Sequence, residues 1–166
     1  MIHIPLSDFY TNVSAGENLV EMTEPVRKYE KRDCYDKIQK FLSLPKEPRI
    51  CIIYGLRRTG KTTMLFQTIR DMSPEELAKT VYIKIEPENT MRGLNKDLRL
   101  LYDNGIRNVF IDEITLMNDF IDSAAVLSDI YAAMGMKIIL SGTDSLGFWL
   151  AKNQELYDRA YSIHTT

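Results

Sequence analysis

Gly55-Leu56-Arg57-Arg58-Thr59-Gly60-Lys61-Thr62 is a run in which two glycines, with four residues between them, are followed directly by a lysine and a hydroxyl. Each residue type has chemistry to do at that spacing. Gly55 and Gly60 admit backbone angles that a Cβ resists, so successive N–H groups can turn inward and form a cradle for an anion. Lys61 supplies a point charge for the terminal phosphates, and Thr62 a hydroxyl for the divalent cation that travels with them. The binding set is Gly55, Leu56, Arg57, Arg58, Thr59, Gly60, Lys61, Thr62 and Thr63, with Lys61 also assigned to catalysis and Thr62 to the metal. For Arg57 and Arg58, contact with phosphate or a partner subunit competes with plain solvation. The implied ligand is a nucleoside triphosphate with Mg2+.

A second constellation lies about fifty residues downstream. Val109-Phe110-Ile111-Asp112-Glu113 is an apolar run ending in adjacent carboxylates, which at the carboxyl end of a parallel strand face the crevice where ligands sit. Asp112 is placed there for the metal, and Glu113 to orient or polarise an attacking water. Solvated acids at a strand end are the plain alternative, and the upstream loop outweighs it. Ser141 and Thr143 bring hydroxyls to the same rim as catalytic candidates, against which stands a capping role for Thr143 or Asp144. Arg159 completes the catalytic candidates as a charge for its own or a neighbour's nucleotide, with a solvated arginine as the alternative. Glu86 and Glu88 are read as solvated loop acids, and His3 and His164 lack partners at metal-ligand spacing.

The elements that position these groups alternate between two periods. Arg49 to Tyr54 reads as a buried strand, and Lys61 to about Met72 as a helix with Leu65, Ile69 and Met72 on one face. Tyr35, Ile38, Phe41 and Leu42 mark an earlier helix from about Asp33, ended by Pro45 and Pro48. Ser73-Pro74-Glu75-Glu76 is a capping box that opens a short helical turn. Strands follow over 80–85, 108–111, 137–140 and 160–163, separated by helices at Leu94–Tyr102, Asp119–Met134 and Asp144 to about Lys152. Strands alternating with helices predict an α/β fold, a parallel sheet covered on both faces. Residues 1–29 show no steady period and are expected to form an N-terminal arm, leaving 30–166 as the core. A last strand so close to the final residue points to a fragment of a longer polypeptide.

Composition narrows the function. At 166 residues and 45% hydrophobic content the chain suits one α/β domain. A net charge of −2 and a pI near 5.7 give no basic field for nucleic acid. Cys34 and Cys51 are too few for a disulfide framework and are expected as free thiols. Neither a signal peptide nor an apolar stretch near the ~20 residues of a membrane span is present, so the expected location is cytoplasmic, without a membrane partner.

Tyr54 to Thr63, the Tyr82-to-Glu86 strand, Ile111-Asp112-Glu113-Ile114, Leu140-Ser141-Gly142-Thr143 and Asp158-Arg159 together resemble the prokaryotic AAA+-type ATPases of the "AAA domain 14" group, over about residues 30–164. The resemblance implies a three-layer αβα P-loop NTPase fold with a parallel five-stranded sheet of order 5-1-4-3-2, in which the sensor strand lies between the loop strand and the Asp-Glu strand. It implies ATP as the nucleotide, a sensor role for Ser141 or Thr143, and a place for Arg159 in a Gly-Arg pair before the last core strand. Asp158 stands where that glycine is usual, and the helical lid and C-terminal region of such proteins are not in this sequence. The implied activity is Mg-dependent ATP binding and hydrolysis, with a homo-oligomer or protein partner to complete the site. A nucleotide-gated switch with negligible turnover is the alternative, and a small-molecule kinase lacks the arginine-rich lid it would need.

Overall fold

The computed structural model describes residues 5–31, 33–45, 49–56, 60–122, 127 and 134–165. The chain runs through β1 (Asn12–Ser14), α1 (Gly16–Thr23), α2 (Asp33–Ser43), β2 (Ile50–Gly55), α3 (Lys61–Arg70), α4 (Pro74–Leu77), β3 (Thr80–Lys84) and α5 (Met91–Asp103). It continues through β4 (Asn108–Asp112), β5 (Lys137–Gly142), α6 (Asp144–Lys152), α7 (Gln154–Arg159) and β6 (Ala160–Thr165).

Alternation along the strands divides the core in two. Ile50 and Ile52 of β2 join Val81, Ile83, Val109, Ile111, Ile138 and Leu140 on the face covered by α5 and α6. Cys51 and Ile53 join Tyr82, Phe110 and Ile139 on the other face, under Leu19, Ile38, Phe41, Met64 and Leu65 of α1, α2 and α3. Because both faces are covered, the central strands are apolar almost throughout, as a parallel sheet requires.

The sheet has six strands in the order β1-β3-β4-β5-β2-β6. Numbered from the loop strand, its parallel part β6-β2-β5-β4-β3 is the expected 5-1-4-3-2. The sixth strand differs from the five-stranded expectation and comes from the segment read as an arm: Asn12–Ser14 pairs antiparallel with β3, Val13 against Ile83 and Ser14 against Tyr82. Three residues are too few to display a strand period. What holds them is distant in sequence: the buried Asp97 of α5 accepts from Tyr10 N at 3.0 Å, Thr11 N at 2.8 Å and Thr11 Oγ1 at 2.6 Å. Tyr10 also packs so closely on Gly93 that a Cβ there would collide with it.

Other local expectations follow the chain. Ser73 caps α4, accepting from Glu76 N at 3.2 Å, and α5 ends where Asn104 leads into Gly105 at φ 88°. Of the helix expected over Asp119–Met134, the structure describes a 3-10 turn at Phe120–Asp122 and a buried Leu127, while 123–126 and 128–133 lie outside the described residues. Among the described residues no helix is long and apolar enough to cross a membrane.

Candidate nucleotide site

The loop after β2 and the acids after β4 meet because β5 lies between those strands and all three run the same way. Their carboxyl ends, Gly55, Asp112 and Gly142, therefore open on one rim. A cleft of about 610 Å³ lies over it, lined by Gly60, Lys61, Thr62 and Thr63 from the loop side, Asp112, Glu113, Thr115 and Leu116 from the β4 side, and Gly142, Thr143 and Ser145 from β5 and α6. Gly60 leads into α3 at φ 80°, a left-handed conformation that favours glycine. Gly55 is required for a second reason, since a Cβ would overlap the hydroxyl and carbonyl of Thr165 on β6.

Asp112 is the hub of the polar network. Its side chain is buried, and Oδ2 accepts from Thr62 Oγ1 at 2.8 Å and from Tyr82 OH at 2.5 Å. Oδ1 accepts from Ser141 Oγ at 2.5 Å, and the same Ser141 oxygen accepts from Glu113 N at 3.0 Å. Burial, then the charge of Asp112 and its hydrogen bond, push the Tyr82 hydroxyl well above the usual phenol range, so the phenol is a fixed donor. Glu113 is exposed and stands at φ 60°, ψ 45°, the sole non-glycine with positive φ among the described residues. That conformation costs on the order of 1–2 kcal/mol.

Lys61 bends back onto its own loop, Nζ donating to Gly55 O at 3.0 Å and Leu56 O at 2.6 Å. Burial lowers its pKa, opposed by the attraction of Asp112, Glu113 and Asp144. Thr62 and Asp112 form an all-oxygen pair of hydroxyl and carboxylate, a donor set that suits Mg2+, which takes few protein ligands and completes its shell with phosphate and water. Among the described residues no group of three or more His, Cys, Asp or Glu is placed to hold a metal ion.

The sequence matches the family model AAA_14, described as an AAA domain, over residues 47–166. This chain belongs to the AAA domain family. It is thus an ATPase-type nucleotide-binding module. Its fold is similar to that of S. cerevisiae Hsp104 in the Hsp104–ADP complex, with 16% identity and a TM-score of 0.63 over 98% of this chain and 25% of that one. It is similar also to the extended S. cerevisiae Hsp104:casein complex, with 16% identity and a TM-score of 0.61, over 97% of this chain and 30% of the other. The closed state of Hsp104 with ATPγS and FITC casein gives 16% identity and a TM-score of 0.67, with the same 97% and 30%. At such identity the likeness is one of fold, and this chain spans 25–30% of the length of those chains. No curated protein matches the sequence significantly.

Within the AAA domain the expected residues divide: some line the cleft, others lie beneath or beside it, and Arg159 stands away from it. Gly60, Lys61, Thr62, Thr63, Asp112, Glu113 and Thr143 line it. Gly55 lies beneath, Leu56 is exposed, and Arg57, Arg58 and Thr59 are outside the described residues. Ser141 is fully buried under Asp112, whereas the Thr143 hydroxyl faces the rim and meets Ser145 Oγ at 2.8 Å. Thr143 occupies the N-cap position of α6, and its side chain makes no capping bond there. Arg159 corrects the expectation of a charge for its own nucleotide. The register pairs Ala160 with Ile50 and Thr165 with Gly55, so Arg159 lies at the amino-terminal end of the sheet, about 16 Å of strand away from the rim, with Nη1 3.6 Å from Glu155. His164 stacks on Tyr54 at 5.0 Å and pairs with Asp144 at 3.3 Å.

Sequence reasoning passed over Tyr82 and Thr115. The first carried a signal, since a phenol inside an otherwise apolar buried strand needs a polar partner. Thr115 carried none: it accepts from Thr143 N at 3.4 Å only because the turn after Glu113 brings it there.

Proposed function

We propose that this AAA domain binds ATP with Mg2+ and hydrolyses the β–γ bond. The observation that carries this is the Thr62 hydroxyl on Asp112 at 2.8 Å, with the exposed Glu113 beside it in the same cleft. The loop N–H groups and the start of α3 bind phosphate, and Lys61 exchanges its loop carbonyls for phosphate oxygens. Thr62 and Asp112 would hold Mg2+, which when bound would supply charge neutralisation on the phosphate oxygens. Glu113 orients the attacking water and takes up its proton, and Thr143 donates its hydroxyl to the γ-phosphate or that water. Ser141 supports Asp112 from below. The free thiols Cys34 and Cys51 accord with a reducing, cytoplasmic setting.

The place of Arg159 favours a second reading, a nucleotide-gated switch whose turnover waits for an arginine from another chain. Phosphate release from Mg–ATP, followed across a protein concentration series beside equilibrium ATP binding, separates the two. Turnover per chain that climbs with concentration means sites completed between copies. Glu113→Gln is expected to keep ATP binding while turnover falls about 100-fold or more. Tight binding without phosphate release at any concentration refutes hydrolysis and leaves the switch.

A further inference from the structure

Among the described residues Tyr82 is the one aromatic residue whose polar atom ends on Asp112, and nothing in the phosphate-binding motif calls for it. Its backbone is held from both sides, by Phe110 of β4 and Ser14 of β1. Its ring is buried against Phe66 of α3, centroids 5.0 Å apart in an edge-on arrangement. Period-2 alternation puts Phe110 and Asp112 on the same face as Tyr82, so the phenol reaches diagonally across the strand pair to the carboxylate. The hydroxyl therefore has one place to be.

That place is the oxygen on the ligand side. Oδ2 of Asp112 accepts from both Tyr82 and Thr62, and Oδ1 accepts from Ser141. An ionised carboxylate offers two acceptor positions on each oxygen. With Tyr82 on one position of Oδ2, the remaining one points toward Thr62. The terminal torsion of Asp is broad and soft, and the donors from Tyr82 and Ser141 are what pin it. An apolar ring would fill the same space without needing a partner, so packing alone does not account for the phenol.

We infer that Tyr82 is a positioning residue for the divalent cation: its hydroxyl fixes the plane of Asp112, so that the gain in nucleotide affinity brought by Mg2+ depends on it. This rests on the assignment of Thr62 and Asp112 as the metal pair. Loss of an outer hydrogen-bond partner of a metal ligand typically costs about 10–100-fold in metal affinity.

The test follows binding of mant-ADP by fluorescence, first in EDTA and then across a Mg2+ titration, with Mn2+ binding by EPR as a readout independent of turnover. Tyr82→Phe is expected to bind mant-ADP in EDTA as the wild type does, while half-saturating Mg2+ and Mn2+ rise about tenfold. Tyr82→Met, which lacks the hydroxyl but has a different shape, should show the same rise; melting without nucleotide verifies that each variant is folded. A Tyr82→Phe titration that coincides with the wild type, an equal loss in EDTA and in Mg2+, or a Tyr82→Met protein that titrates normally would each overturn the inference. Failure of the metal assignment itself is visible separately, as a wild-type protein whose mant-ADP affinity ignores Mg2+, and it removes the inference as well.

Discussion

Ser141 and Thr143 stand two residues apart at the end of β5, and the structure gives their hydroxyls different work, which makes paired alanine substitutions decisive. Ser141→Ala removes the bond to Asp112 Oδ1 at 2.5 Å and leaves Glu113 N without the acceptor it has at 3.0 Å. A hydrogen bond to a charged group contributes about 1.5–3 kcal/mol and a neutral one about 0.5–1.5 kcal/mol, so the loss is about 3 kcal/mol. For a chain of this size, about 2–4 °C per kcal/mol predicts a melting temperature lower by about 6–12 °C. Thr143→Ala removes a half-exposed hydroxyl whose partner is Ser145 at 2.8 Å and should cost at most about 0.5 kcal/mol. If Thr143 donates to charge that develops at the γ-phosphate, its loss lowers turnover about 100-fold with the melt unmoved. Thermal melts without nucleotide, set beside phosphate release at saturating Mg–ATP, measure both. Equal melts for the two variants, or full turnover by Thr143→Ala, would refute the division of labour.

Three further outcomes are expected. Asp97→Asn converts one acceptor oxygen into a donor that must face Tyr10 N or the Thr11 pair, and should cost about 3 kcal/mol; a melt within about 2 °C of wild type would show that the carboxylate does not hold the arm. Cys51 is fully buried, and burial pushes its thiol far above the ordinary range, so native protein treated with iodoacetamide should be alkylated at Cys34 and spared at Cys51 by mass spectrometry. Lys61 has a folded pKa below its unfolded 10.5, so between those values the unfolded chain holds more protons and stability rises with pH. Nucleotide-free wild type should therefore gain on Lys61→Met in melts as pH climbs toward 10.5, and a constant gap would contradict the burial of that ammonium.

The features legible in the sequence are those whose spatial neighbours are also near in sequence. The run from Gly55 to Thr62 needs only a strand before it and a helix after it, and both announce themselves by period. Asp112 and Glu113 were visible as acids closing an apolar strand, but their approach to Thr62 depends on which strand lies between β2 and β4. Alternation cannot supply that order; family resemblance did. The arm was illegible because its partner Asp97 lies 86 residues from Thr11 and looks, in sequence, like any polar position on the amphipathic α5. The left-handed Glu113 was equally hidden, because a carboxylate carries no preference for that conformation, and the bonds that hold the turn, from Glu113 N to Ser141 and from Leu116 N to Glu113 O, are made only once the strands are in place. For Arg159 the sequence placed the residue correctly before the last strand, and parallel pairing with β2 then decides which end of the sheet it occupies.

The same topology gives the arm a mechanical connection to the cleft. β3 ends the parallel part of the sheet on the side away from β6, and without β1 its far edge, the side of Tyr82 away from Phe110, would be unpaired. Edge strands fray because half of their backbone hydrogen bonds are missing, and a phenol on a fraying strand cannot hold a carboxylate to a fraction of an ångström. Pairing Ser14 with Tyr82 makes β3 an interior strand at the residue that touches Asp112. Asp97 then anchors the residues just ahead of β1 through bonds to Tyr10 and Thr11. The acid that fastens the arm and the acid at the centre of the cleft are thus joined through one strand, which is why a segment without catalytic residues of its own belongs to the architecture of the site.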